Sequence, residues 1–316
     1  MRRRRVLVVL VLAWIGLMPA VSGAQNARMK VLLDTDIGTD IDDAWALAYA
    51  INSPVFELLG VTVSDADTAQ RARLACKLLH RAGRTDVPVA AGRKTAAVPP
   101  DRYDFQFTWS EDFDAYQPVS TPAADFLAEK IRQHPGEVTL IAVGPLQNVG
   151  DLVRKHPDVI RLLKRVVLMS GSIANNAWSP GPVAEWNVKL AIPEAQTVYS
   201  AGLPLTIVPL DSTSYVRLED DERRRLLARG TPLVRAVEAL YRLWIDRPSA
   251  RMTLHDQLAV AEAQHPGRFF GRCETMSIRV DDQGYTRVDP KGQPTAVCFE
   301  PKRDEFMTHF LEQVGR

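Results

Sequence analysis

Short apolar runs alternate with stretches of helical periodicity along most of the chain. Lys30-Val31-Leu32-Leu33 is a brief apolar run ending in acids, the pattern of a buried strand with polar groups at its C-terminal tip. Ala44 to Ile51 reads as a helix, Phe56 to Val63 as a second strand, and about Ala69 to Ala82 as a second helix. Val87 to Ala90 is a third short strand. Residues 93–118, rich in Pro, Asp and aromatics, read as a long surface loop. A helix near Ala123–Gln133, a strand Val138–Val143 and a helix after Pro145 follow. Next come strand Val166–Met169, a Gly/Asn/Pro-rich loop, a helix around Glu194–Ala201 and strand Leu205–Val208. The pattern from Leu218 to Ala263 is helical. Residues 275–300 alternate around Asp282-Gln283-Gly284 as in a hairpin, and Phe306–Val314 closes as a helix.

This alternation predicts an α/β fold: an open, mostly parallel, Rossmann-like sheet flanked by helices, with a small C-terminal hairpin and helix. Ligands of such sheets bind beyond the C-terminal strand ends, so polar clusters there are the candidates for chemistry. No linker, repeat or low-complexity tract divides the 316 residues, and a single domain over residues 25–316 is expected.

The first 24 residues stand apart. Arg2 to Arg5 form a basic segment, Val6 to Met18 is apolar but short for a membrane span, and Val21-Ser22-Gly23-Ala24 supplies small residues. That is the grammar of a secretory signal cleaved near Ala24, giving an exported, periplasmic or secreted protein without a stable membrane anchor. The segment carries four arginines and no other charge, so its removal takes the formal net charge from +1 to −3. A mildly acidic mature chain gives no footprint for nucleic acid. Cys76 falls in an apolar helical pattern. Cys273 and Cys298 flank the hairpin segment; an oxidising compartment permits their pairing, which spacing alone leaves open.

The chemistry concentrates at the end of the first strand. Asp34, Asp36, Asp40, Asp42 and Asp43 put five carboxylates within ten residues, between a buried strand and an apolar helix. Crowded carboxylates repel and resist desolvation. A hard cation relieves both, and oxygen-only donors favour calcium or magnesium. The spacing is not that of an EF-hand loop, because Gly38 is misplaced. An Asp-x-Asp phosphatase with Asp34 as nucleophile shares the start but not the Asp42-Asp43 pair.

The segment Asp34-Thr-Asp36-Ile-Gly38-Thr-Asp40-Ile-Asp42-Asp43 resembles the Asp-x-Asp-Pro-Gly-x-Asp-Asp signature of the inosine-uridine-preferring nucleoside hydrolase family, in a longer form like that of a bacterial, exported branch. Ile37 stands for the proline, and two extra residues within Thr39–Ile41 precede the Asp-Asp pair. Four further segments match in order. They are Gly60-Val-Thr-Val-Ser-Asp-Ala-Asp67, Leu140 to Asn148, Val167 to Gly171 followed by Pro182-Val-Ala-Glu185-Trp186-Asn187, and Leu254-His255-Asp256.

The resemblance implies hydrolysis of the N-glycosidic bond of ribonucleosides and assigns roles. Calcium would be held by Asp36, Asp43, Asp256 and the Val143 carbonyl, with the ribose 2′- and 3′-hydroxyls and a water oriented on it. Asp36 would take the water's proton, and His255 would assist the leaving base. Asp42, Asp67, Glu185 and Asn187 would bind ribose hydroxyls. Asn176 would reach the 5′ side, and Trp186 would wall the pocket with Trp178 near the base. Asp34 would support the loop, while Asp40 has no assigned role. Family members are usually homodimers or homotetramers. A non-catalytic nucleoside- or sugar-binding protein on the same fold is the alternative.

Overall fold

The computed structural model describes residues 28–97, 105–246 and 251–316; the segment read as a secretory signal lies outside them. In chain order the elements begin with β1 (Met29–Thr35), α1 (Asp42–Ile51), β2 (Phe56–Val63), α2 (Thr68–Arg81) and β3 (Val89–Ala91). They continue with a 3-10 turn (Phe105–Ser110), α3 (Ala123–Gln133), β4 (Thr139–Ala142), α4 (Gln147–Lys155), a second 3-10 turn (Pro157–Leu162) and β5 (Arg165–Met169). Then come α5 (Trp186–Lys189), α6 (Ile192–Val198), β6 (Leu205–Val208) and α7 (Leu210–Thr213). The chain ends with α8 (Asp220–Leu227), α9 (Pro232–Ile245), α10 (His255–Gln264), β7 (Phe270–Val280), β8 (Thr286–Val288), β9 (Gln293–Pro301) and α11 (Arg303–Val314).

The strands form one sheet in the order β3-β2-β1-β4-β5-β6-β9-β7-β8. All neighbours from β3 to β9 are parallel, and β7 pairs antiparallel with both β9 and β8. Strands β1, β4 and β6 are short and apolar because helices cover both faces. Successive residues of β1 serve opposite faces: Val31 and Leu33 join the core of α1, α2, α9, α10 and α11, while Leu32 joins that of α3, α4 and α6. Helix α1 is buried along its whole length and α10 from Asp256 onward, as expected of helices without a polar face. Among the described residues no helix is long and apolar enough to cross a membrane.

Two regions differ from the sequence reading. Residues 93–118 do not all lie on the surface, because Gln106, Phe107 and Ser110 of the 3-10 turn are buried. Phe107 and Trp109 pack on the core, which a Pro/Asp-rich composition conceals. The C-terminal hairpin β7–β8 is also no appendage. β9 returns beside β6 and extends the main sheet, burying Val297 and Cys298. Cys273 and Cys298 face each other across β7 and β9 and form a disulfide, while Cys76 is a buried free thiol.

Candidate active site

The topology decides where the acids go. β1 lies between β2 and β4, so the connections leaving β1 and β4 diverge and open a crevice beyond their C-terminal ends. β1 delivers Asp34 into the end of the sheet and Asp36 just past it. Asp34 is fully buried; its Oδ1 accepts from Thr62 Oγ1 at 2.5 Å and from Asn148 Nδ2 at 2.7 Å. Burial raises its carboxyl to about 7, against those two hydrogen bonds. A carboxylate so enclosed braces the strand ends and is closed to substrate, which removes the phosphatase reading.

The aspartate loop from Asp36 to Ile41 is fastened at several points. The Asp36 amide donates to Asp43 Oδ1 at 3.1 Å, and the Thr35 hydroxyl donates to the same oxygen. Gln106 of the 3-10 turn donates to the carbonyls of Thr39 and Asp40 at 3.3 and 2.9 Å. Gly38 has φ +119°, and a side chain there would run into the Phe107 ring. Arg71 of α2, which has no solvent exposure, donates to the Asp36 carbonyl, to the Ile37 carbonyl at 3.0 Å and to Thr39 Oγ1 at 3.1 Å.

Asp42 and Asp43 open α1, and Asp256 lies in the first turn of α10. All three are buried, with carboxylate oxygens within 4.8 Å of one another. Gln257 Nε2 locks the two helices by donating to the Asp42 carbonyl at 2.6 Å. Each of the three carboxyls is pushed well above the usual carboxylate range, by burial first and then by the other acids, Asp36 and Asp40 among them. Such a trio, with only oxygen donors and its carboxyls raised further by the surrounding acids, fits a hard cation such as calcium or magnesium. Asp42, read from the resemblance as a ribose contact, lies with Asp43 and Asp256 in the group whose oxygens could hold an ion.

Strands β4 and β5 close the far side. Val143 follows β4, and its carbonyl accepts from Asn187 Nδ2 at 2.7 Å; the same nitrogen lies 3.0 Å from the Met169 carbonyl at the end of β5. Gly144 passes so close to Asp36 that a β-carbon would sit 2.8 Å from its amide nitrogen and 2.9 Å from Oδ1. Glu185 caps α5, accepting from the amides of Asn187 at 2.8 Å, Val188 at 3.3 Å and Gly171 at 3.0 Å. Burial raises Glu185 to about 7, and the Asp36 charge adds to that rise. Asp36, Asp42, Asp43, Val143, Glu185, Asn187 and Asp256 therefore surround one crevice.

The base side is organised by α7, which the sequence reading passed over. Thr213 Oγ1 is 2.8 Å from His255 Nδ1. Asp211 accepts from the amides of Ile173 and Ala174, and Ser214 Oγ from that of Ala177 at 2.9 Å. Ser212 donates to the Cys298 carbonyl at 2.7 Å, tying α7 to β9. One helical turn thus sets His255 and the loop carrying Trp178, whose ring centroid lies 5.4 Å from that of His255. Burial lowers His255 to about 4, opposed by the Asp40 charge, so near neutral pH it is a neutral hydrogen-bonding ring and not the charged donor that its type suggests. Trp178 and Trp186 are exposed, at 56% and 42%.

Two predicted residues have other partners. Asp67 caps α2 through the Gln70 amide at 3.2 Å and pairs with Lys94 at 2.7 Å, which holds its carboxyl below the usual range. Asn176 spends its amide on the loop: Oδ1 accepts from the Trp178 amide at 3.0 Å, and Nδ2 lies 3.3 Å from Ser172 Oγ. Asn176 thereby shapes the tryptophan loop.

The chain is 29% identical over 312 residues to the pyrimidine-specific ribonucleoside hydrolase RihA of a Shewanella species, covering 90% of this chain and 96% of that protein. It is 30% identical over 283 residues to uridine nucleosidase 1 of Arabidopsis thaliana, covering 82% of each. The fold matches that of a purine-preferring ribonucleoside hydrolase from Gardnerella vaginalis with a TM-score of 0.78 at 21% identity, over 90% of this chain and 98% of the other. Residues 31–308 match the family described as inosine-uridine preferring nucleoside hydrolase, and the chain belongs to that family.

Proposed function

We propose that this member of the family is an exported, calcium-dependent hydrolase that cleaves ribonucleosides to free base and ribose. The observation that carries the reading is the convergence of Asp42, Asp43 and Asp256, from two interlocked helices, beside Asp36 at the switch point of the sheet. Asp36, Asp43, Asp256 and the Val143 carbonyl, joined by Asp42, would hold the ion. Calcium, when bound, would offset the carboxylate repulsion and fix the vicinal ribose hydroxyls.

The chain's own groups do the rest. Asp36 takes the proton of the attacking water as the glycosidic bond breaks and positive charge grows on the sugar. Buried carboxylates around the ring stabilise that charge. Asp42, Glu185 and Asn187 orient ribose hydroxyls, and orientation is a large part of the rate gain. His255 donates a hydrogen bond to the departing base as a neutral imidazole, its ring held through Nδ1 by Thr213. Trp178 covers the base from the rim. By their names, the Shewanella and Arabidopsis relatives act on pyrimidine ribonucleosides and uridine, so uridine is the first substrate to assay and inosine the second. The Cys273–Cys298 disulfide supports export, which the N-terminal residue of the mature protein, read by mass spectrometry, would check.

The test is reducing-sugar release from uridine and inosine. Asp36→Ala should lower it at least about 1,000-fold with the fold intact, and exhaustive chelation should silence the wild type until calcium is restored. Wild-type binding of nucleoside with no turnover would favour a binding protein. Full activity after calcium removal, verified by metal analysis, would refute the metal role.

A further inference from the structure

Arg71 does more than fill the core. Its five N–H donors are all engaged: Nε to the Asp65 carbonyl at 2.8 Å, one terminal nitrogen to the carbonyls of Asp36 and Ile37, the other to Thr39 Oγ1 and Asp65 Oδ2, each at 3.1 Å. Three of these bonds hold the aspartate loop, and two hold the β2–α2 connection. That connection is itself unusual, because Asp65 and Ala66 are non-glycine residues at φ +70° and +50°. The aspartate loop lacks proline, and Ile41, which precedes α1, gives the helix no side-chain cap. Arg71 adds to the Asp36–Asp43 contact and the two Gln106 bonds in holding the path from Asp36 to Asp43.

We propose that Arg71 is the positioning residue of the aspartate loop, joining it to Asp65 so that Asp36 and Asp43 stand in their ion-binding arrangement before the ion arrives. The inference rests on the metal reading above. It goes beyond it in placing the determinant of ion affinity on a cation that touches neither ion nor substrate. The planar fork is essential, because a lysine has three donors on one point charge and cannot span two loops. Outer partners that orient ligand carboxylates typically govern affinity by 10- to 100-fold.

The test is titration of the mature chain with calcium chloride, followed by isothermal calorimetry and by uridine hydrolysis against calcium concentration. Arg71→Lys should raise the calcium midpoint roughly 10- to 100-fold. At saturating calcium, kcat should return to within about threefold of wild type with KM unchanged, because the ion then assembles the loop. A residue that served the fold alone would lower the melting temperature equally with and without calcium and leave the midpoint in place. Should Arg71→Lys fail to fold, Thr39→Val removes one arm and should still raise the midpoint about threefold or more. A midpoint within twofold of wild type in either folded variant overturns the positioning role alone. A wild-type chain that binds no calcium overturns the metal reading, and this inference with it.

Discussion

Gly144→Ala isolates the placement of Asp36 from its chemistry. The backbone of Gly144 is outside the left-handed region, so alanine is compatible with it, and the whole effect comes from the methyl group. That methyl would lie 2.8 Å from the Asp36 nitrogen, 2.9 Å from Oδ1 and 3.0 Å from Ser64 Oγ, whereas ordinary contacts begin at 3.4 Å. Relief requires Asp36 or the end of β4 to move by roughly half an ångström, an overpacking cost of about 1–3 kcal/mol in a tight interior. A displaced base is worth more in rate than in stability, because about 1 Å of misplacement costs on the order of 100-fold. We expect kcat for ribose release from uridine to fall about 10- to 100-fold, about 1.4–2.7 kcal/mol in barrier, with a native circular dichroism spectrum. Gly181→Ala is the control, since a β-carbon there meets nothing within 4 Å. Gly144→Ala with kcat within threefold of wild type would refute the argument that Asp36 must stay where the close approach of β4 holds it.

Thr213→Val should lower kcat roughly tenfold through loss of one hydrogen bond to His255, with Thr213→Ser restoring it; equal losses in both variants would point to packing instead. The Cys273–Cys298 bridge closes a separation of 25 residues, so replacing both by serine should cost about 3–4 kcal/mol in urea unfolding, and a change under about 1 kcal/mol would count against it. Burial holds His309 at about 4, with His265 and Arg268 adding to the fall and Glu312 opposing it. Its neutral form is favoured by folding, so this stability is present above the ordinary histidine pKa near 6.5 and is lost as pH falls toward 4. Partial exposure of the ring reduces the effect to roughly 1–2 kcal/mol, and His309→Phe should flatten the drop in melting temperature between pH 7 and pH 5.

Much of this was legible along the chain because it is written locally. Apolar runs ending in acids marked β1 and, through the alternation with helices, the parallel sheet. The aspartate spacing and the segments at Val143, Glu185-Trp186-Asn187 and His255-Asp256 marked groups that the fold places around one crevice. Arg71 left a signal that was not used. It shares the helical stripe of Leu74, Ala75 and Leu78, all fully buried, so it lies on the core face of α2. Charge type argued for solvent, and only the neighbouring loops supply its five acceptors.

Other features had no local signature. Asp67 and Asn176 are polar residues at plausible positions, and their partners, Lys94 and the tryptophan loop, are chosen by backbone paths that spacing does not encode. α7 reads as a bland Leu-Asp-Ser-Thr, yet the side chains of Asp211, Ser212 and Thr213 bond to residues from Ile173 to Cys298. The pairing of Cys273 with Cys298 needed the register of β7 on β9.

The sequence by itself determined the fold class and the oxygen-rich character of the site, since periodicity and residue type act over a few neighbours. The tertiary structure decided which acids meet, that Asp34 is sealed while Asp42 joins Asp43 and Asp256, and that His255 is held neutral. Those properties depend on burial and on charges brought from remote elements, and both come into being only when helices α1 and α10 close on the sheet.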